Sequence, residues 1–138
     1  MQRTRVGCYL VSTNNDHILL AHVAPGYGPA NKWTLPGGGV EWGEDPSDAL
    51  RREVFEETGF ELDGFRYIGV DSRVLAKGNR NEELHWIRLF FTADLHGEPR
   101  VIEIDGSVDD ARWTPLADIA QLDTVEIIEV GLRLLGST

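Results

Sequence analysis

A single cysteine, Cys8, leaves this 138-residue chain with no internal disulfide, so a fold must rest on a buried core, and the usage suits a reducing cytoplasm. Cys8 lies in the apolar run 6–11 (Val-Gly-Cys-Tyr-Leu-Val) and reads as a small core residue rather than a nucleophile. Long hydrophobic runs are missing as well. The start Met1-Gln2-Arg3-Thr4-Arg5 is basic, but the apolar stretch behind it is short and interrupted. Neither a signal peptide nor a membrane span is expected from it. Positive charge is scarce: 13 Lys and Arg stand against 23 Asp and Glu, a formal net charge of −10. The basic footprint that polymeric nucleic acid needs is therefore absent. An acidic protein still takes a polyphosphate where divalent ions supply local positive charge. Repeats, linkers and low-complexity tracts are also lacking, and the length is that of one domain over 1–138.

What is present concentrates in residues 38–60, a glycine-rich turn followed by an acidic helix. Asp45 is placed to cap the helix, Pro46 fits its first position, and Asp48 puts negative charge in the first turn. Gly59 stands where a left-handed residue ends a helix. Within it Glu53, Glu56 and Glu57 are spaced i, i+3, i+4 and share one face, while Leu50 and Val54 form a neighbouring apolar stripe. Three like charges on one face destabilise an isolated helix. Carboxylate oxygens are what hard cations bind, and Mg²⁺ takes a few of them beside water and substrate phosphates. Arg52, four residues before Glu56, is placed to pin part of the cluster by an ion pair. A merely solvated acidic face is the ordinary explanation of a Glu-rich helix; the caps, the glycines and the full spacing argue against it here.

Gly38, Glu44, Arg52, Glu53, Val54, Glu56, Glu57, Gly59 and Phe60 together resemble the Nudix box, which they meet in full. At average residue frequencies a chance match in a chain this short is roughly one in a million. The resemblance implies an α/β (α+β) fold of the Nudix type, an α/β/α sandwich with a mixed β-sheet between helices. It implies a Mg²⁺-dependent hydrolase, with Mn²⁺ as a substitute, that cleaves a diphosphate bond in a nucleoside diphosphate linked to another group, nucleoside triphosphates foremost. Glu53, Glu56 and Glu57 would hold metal, and a main-chain carbonyl of Gly37 or Gly38 would complete the shell. Glu44 would act behind them, and Arg52 would orient a carboxylate. Relatives draw a further carboxylate from downstream; Glu98, Glu103 and Asp105 are the candidates, with Glu98 favoured. The general base stays open between Glu53, Glu56 and Glu98.

The rest of the chain reads more loosely. Residues 6–11 and 18–23 are expected to pair as a hairpin around the turn Asn14-Asn15-Asp16. His17 and His22 read as structural, having no second ligand at a familiar spacing. The Pro/Gly-rich loop 24–32 offers Tyr27 to stack on a flat substrate group and Lys32 to reach a phosphate. Residues 33–36 form a short strand leading into Gly37-Gly38-Gly39. Extended segments follow at 65–70 and 72–75, then a polar turn at 77–82. Residues 84–95 are the longest strand and, being nearly continuous in apolar content, central. Trp86, Arg88 and Phe90 share one of its faces, which makes Trp86 and Arg88 candidate cleft residues. A closing strand at 110–116 and a final helix, capped by Asp123 or Thr124 and running through Leu135, complete the order of elements.

Metal-free clustered carboxylates raise one another's pKa, so activity is expected to fall at mildly acidic pH. A binding or regulatory protein on the same fold, or an isomerase of prenyl diphosphates, are the competing readings. Both ADP-ribose- and dinucleoside-polyphosphate-cleaving relatives tend to carry a Pro or Tyr some fifteen to eighteen residues past the box. The window 74–78 has neither. A homodimer is the oligomer to expect, by family habit and by the general prevalence of two-fold assemblies. No membrane partner is implied.

Overall fold

The arrangement of strands follows from where the apolar side chains fall. The computed structural model describes residues 2–77 and 82–137. In chain order it has β1 (Gln2–Leu10), β2 (Thr13–Asn14), β3 (His17–Val23), β4 (Trp33–Thr34), β5 (Gly37–Gly39), α1 (Pro46–Thr58), β6 (Arg66–Lys77), β7 (Glu82–Thr92), β8 (Val108–Pro115) and α2 (Ile127–Gly136). A short 3₁₀ helix, Leu116–Gln121, precedes α2. The first sheet runs β5-β1-β7-β6, and the second runs β2-β3-β4 with β8 also on β3. β1 is parallel to β7 and antiparallel to β5, so the first sheet is mixed.

Alternation then gives each face of that sheet its own core. Cys8 and Leu10 of β1 join Phe91 of β7 beneath Leu50 and Val54 of α1. Tyr9 and Val11 join Phe90 beneath Ile127, Ile128 and Val130 of α2. The result is the expected mixed sheet between helices. Burying an aliphatic or Phe side chain contributes about 1.5–3 kcal/mol, so these two layers dominate the stability of the fold. Burial also raises the Cys8 thiol to about 11, which keeps it protonated and inert, as its place in an apolar run suggests.

Several expectations need correction. β3 is not the hairpin partner of β1: it pairs with β2, β4 and β8, while β1 is occupied by β5 on one edge and β7 on the other. The segments 65–70 and 72–75 are one strand, β6, with a bulge between Tyr67 and Gly69. The final helix starts later than Asp123 or Thr124, with Glu126 at its N-cap position and no side-chain cap bond. The polar turn expected at 77–82 falls on residues 78–81, outside those described. β7 (Glu82–Thr92) is central, flanked by β1 and β6. With 11 residues it is not the longest strand; β6 has 12, because the two segments expected at 65–70 and 72–75 run together. Among the described residues no helix is long and apolar enough to cross a membrane.

Candidate active site

Helix α1 begins and ends as its sequence dictates. The Asp45 carboxylate accepts from the Ser47 N–H at 2.8 Å, and Gly59 closes the helix with φ 77°. Between these caps the apolar stripe of α1 is pressed onto the sheet, which leaves the acidic face turned toward the glycine strand β5. Gly37 is essential there: its φ is +146°, and a Cβ would come 2.1 Å from the carbonyl oxygen of Cys8. Gly38 makes room for Glu53, whose Cδ lies 2.6 Å from where a Cβ would stand.

Glu57 is 3% exposed, and one carboxylate oxygen accepts from the Gly37 N–H at 3.0 Å. Burial, then the neighbouring charges of Glu53 and Glu56, raise the Glu57 pKa well above the ordinary carboxylate range. Burial and Glu53 raise Glu56 too, with Glu103 adding to the effect. Arg52 ties the cluster together: Nε and Nη2 grip Glu44 at 2.9 Å each, and Nη1 donates to Glu53 at 2.8 Å. Glu56 lies 3.7 Å from the same Nη1. The paired guanidinium holds the Glu44 carboxyl down at about 2, so Glu44 stays charged and keeps Arg52 fixed.

Glu103 is the downstream carboxylate that meets the cluster. The N–H groups of Ile102 and Glu103 donate to the Glu56 carbonyl at 2.9 and 3.0 Å, and the Arg100 N–H donates to Thr58 at 2.8 Å. This strap of backbone bonds satisfies the open carbonyls at the end of α1 and sets the Glu103 carboxyl against Glu56. The favoured Glu98 precedes the strap. It is exposed and borders an open cavity with Thr58, Gly59 and Arg100 at the helix end. Asp105 and Tyr27 line a second cavity of about 510 Å³ together with Glu103, and the Tyr27 hydroxyl donates to the Asp105 carbonyl at 3.2 Å. Lys32 is turned away, its ammonium 3.5 Å from Asp123.

Arg88 is not a free cleft residue. Its side chain is fully buried, with Nε and Nη2 donating to Asp71 at 2.7 and 2.6 Å and Nη1 donating to Glu126. Trp86 is half-buried beside it, its ring centre 4.9 Å from the Arg88 guanidinium and edge-on to Tyr9. Directly opposite Trp86 in β1 stands Arg5. Its guanidinium lies against Gly39, where a Cβ would come 2.5 Å from Nη2. Alternation along β1 marks that position, but only the closeness of β5 reveals why it matters.

Comparison with known proteins now bears on the cluster. The family model described as NUDIX domain matches residues 1–133. The chain belongs to the Nudix family. It is 35% identical to "Nucleoside triphosphatase NudI" of Escherichia fergusonii, over 99% of both chains, and 32% identical to the Escherichia coli protein of that name over the same shares. A solved MutT NUDIX hydrolase from Burkholderia pseudomallei superposes with a TM-score of 0.80 at 30% identity, covering 96% of this chain and 98% of its own. The NUDIX domain of Shewanella oneidensis NrtR, solved with ADP ribose, superposes at 0.76 with 18% identity and shares the fold. These relatives make the chain a Nudix pyrophosphohydrolase.

Nudix hydrolases generally use a divalent metal, and the residues here fit one. Glu57 is 3% exposed and crowded by the carboxylates of Glu53 and Glu56, a crowding of like charge that a bound hard cation relieves. Among the described residues no three acidic or imidazole side chains already converge in ligand geometry; the carboxylates are instead turned toward Arg52, Gly37 and each other. The sign of the resulting pH effect is fixed. Glu57 has its folded pKa raised, so without metal its contribution to stability is full below the unfolded value near 4.3 and is lost as pH rises through the folded value. Thermal melts in chelator should therefore show the Glu57→Gln variant gaining on the native chain as pH increases from about 5 to 8. A difference that does not change with pH would contradict this.

Proposed function

We propose that this chain hydrolyses a phosphoanhydride bond of a nucleoside triphosphate with Mg²⁺ as its metal, Mn²⁺ substituting, in the cytoplasm. The observation that carries the reading is the buried Glu57 carboxyl, crowded by Glu53 and Glu56 and bonded to the glycine strand, in a chain that matches nucleoside triphosphatases along its whole length. When bound, the metal supplies charge neutralisation on the phosphates and acidifies the attacking water.

The protein's own groups do the rest. Glu53, Glu56 and Glu57 provide hard oxygen donors, with the carbonyl of Gly38 as a main-chain donor. Glu103 adds a carboxylate beside Glu56 and replaces Glu98 in our assignment. Glu44 holds Arg52, and Arg52 holds Glu53 in place. On the sheet face, Trp86 offers a flat apolar surface, and stacking on an aromatic side chain suits a nucleobase. Arg5 makes no ion pair among the described residues, which leaves its guanidinium available to the substrate's phosphates. Tyr27, through its cavity shared with Glu103, is kept as a substrate contact; Lys32 and Arg88 are not, because acidic partners already engage both.

A Mg²⁺-supplemented screen of nucleoside triphosphates, nucleotide sugars, ADP-ribose and dinucleoside polyphosphates, reading released phosphate and pyrophosphate, tests this. Turnover is expected with a triphosphate. Tight binding of a nucleotide with no turnover would move the chain to a regulatory role, and turnover of only a non-triphosphate would rename the substrate.

A further inference from the structure

The glycine strand β5 ends the first sheet, and its outer edge pairs with no strand among the described residues. Side chains alternate along a strand, so Gly38 and Gly39 look to opposite faces of that edge. A Cβ on Gly38 would come 2.6 Å from the Glu53 carboxylate carbon. One on Gly39 would come 2.5 Å from Nη2 and 2.7 Å from Nε of Arg5. Two adjacent glycines thus seat opposite charges on the two sides of one strand. Gly38 is part of the Nudix box, but Gly39 is not among the positions that define it. Its φ is not positive, so its bare Cα serves space rather than backbone freedom.

The strand register places the seated guanidinium. Gly39 lies opposite Gly7 of β1, and Arg5 lies opposite Trp86 of β7. Because β1 sits between β5 and β7, the Arg5 side chain runs over β5, away from Trp86. One face of the sheet therefore carries the Trp86 ring and then, at the free edge, the Arg5 guanidinium. Around that edge lie Glu53 and, on the Gly37 N–H, Glu57. A phosphate chain that leaves a base at Trp86 and ends at the carboxylates meets Arg5 first. Arg5 makes no ion pair among the described residues, and a guanidinium grips two phosphate oxygens at once through charge-assisted bonds.

We propose that Gly39 is a positioning residue: it seats Arg5 so that the guanidinium takes the phosphate nearest the nucleoside. Beyond that phosphate the chain turns over the free edge of β5 to the acidic face. The inference rests on the reading of this chain as a nucleoside triphosphatase with its base at Trp86.

Alanine at 39 needs no strained backbone and meets only the far end of a flexible side chain. The fold should therefore hold, with far-UV circular dichroism unchanged. Calorimetry in chelator gives a readout without turnover. The monophosphate of the best-hydrolysed nucleoside triphosphate should bind Gly39→Ala and Arg5→Ala each ~10–100-fold more weakly than the native chain, the scale of a hydrogen bond to a charged group. The nucleoside without phosphate should bind all three alike. In steady state with Mg²⁺, both variants should raise KM for the triphosphate and leave kcat within about threefold, the pattern of lost uniform binding. Adding Gly39→Ala to Arg5→Ala should change nothing more, because the glycine acts only through the arginine. Effects that multiply in the double variant overturn the positioning role, and so does native-like behaviour of Gly39→Ala. Monophosphate binding that Arg5→Ala leaves unchanged, or that in the native chain is no tighter than the nucleoside's, overturns the phosphate assignment. A native chain that turns over no triphosphate removes the nucleotide reading itself, and this inference with it.

Discussion

Replacing Glu57 by glutamine is expected to remove turnover by at least ~10²-fold, the scale on which one preorganised electrostatic group acts, while making the metal-free protein more stable at neutral pH. The two effects have one origin. Glu57 is 3% exposed and crowded by Glu53 and Glu56, so its ionised form is disfavoured when no cation is present. Glutamine keeps the acceptor for the Gly37 N–H, which the native oxygen meets at 3.0 Å, and removes the charge. It also removes a hard anionic donor, and an amide oxygen holds a divalent cation far less strongly. Glu56→Gln should lose comparable activity with a smaller gain in stability, because its side chain is 31% exposed and partly screened. Chelator-treated melts at neutral pH and steady-state rates with added Mg²⁺ measure both quantities. Turnover within about threefold of native in either variant would remove that carboxylate from the metal-holding set, since such a group is worth far more.

The acidic helix was legible because its determinants are local. A cap, a proline, a terminal glycine and three carboxylates at i, i+3, i+4 are all fixed by a few residues of chain. Partners of β1 were not. Its parallel neighbour β7 begins some eighty residues later, with Gln2 opposite Glu83, and no nearby sequence signal marks that pairing. The preference for pairing consecutive strands pointed to β3, yet β5 takes that edge because three glycines let it approach. Arg88 was placed on the right face by alternation, but alternation cannot say that α2 brings Glu126 onto it from 38 residues away. Glu103 was among the downstream candidates but ranked behind Glu98 for a related reason. The strap that delivers it is made of backbone N–H groups, which every residue but proline carries, so nothing in the sequence set it above Glu98.

Arg88→Ala is expected to cost about 3–5 kcal/mol, the loss typical of breaking a buried ion pair on one side. At roughly 4 °C per kcal/mol for a domain of this size, the melting temperature should fall by about 10–20 °C. The guanidinium is fully buried and serves two carboxylates, donating to Asp71 through Nε and Nη2 and to Glu126 through Nη1 and Nη2. It also lies over Trp86 and Phe90. Alanine leaves a void and two acids facing each other; Arg73, 2.7 Å from Glu126, relieves only one of them. Lysine would keep the charge but lose the fork, so Arg88→Lys should fall between. A pH series separates this from simple loss of packing. Burial alone would raise the Glu126 pKa, but hydrogen bonds from Arg88 and Arg73 outweigh it and leave the folded pKa lowered. A lowered folded pKa means stability that is present above the unfolded value near 4.3 and lost as pH falls through the folded one. The gap in melting temperature between native and Arg88→Ala should therefore be full at pH ~7 and narrow below pH ~4. A gap that stays constant across that range would show that the void, and not the ion pairs, sets the cost.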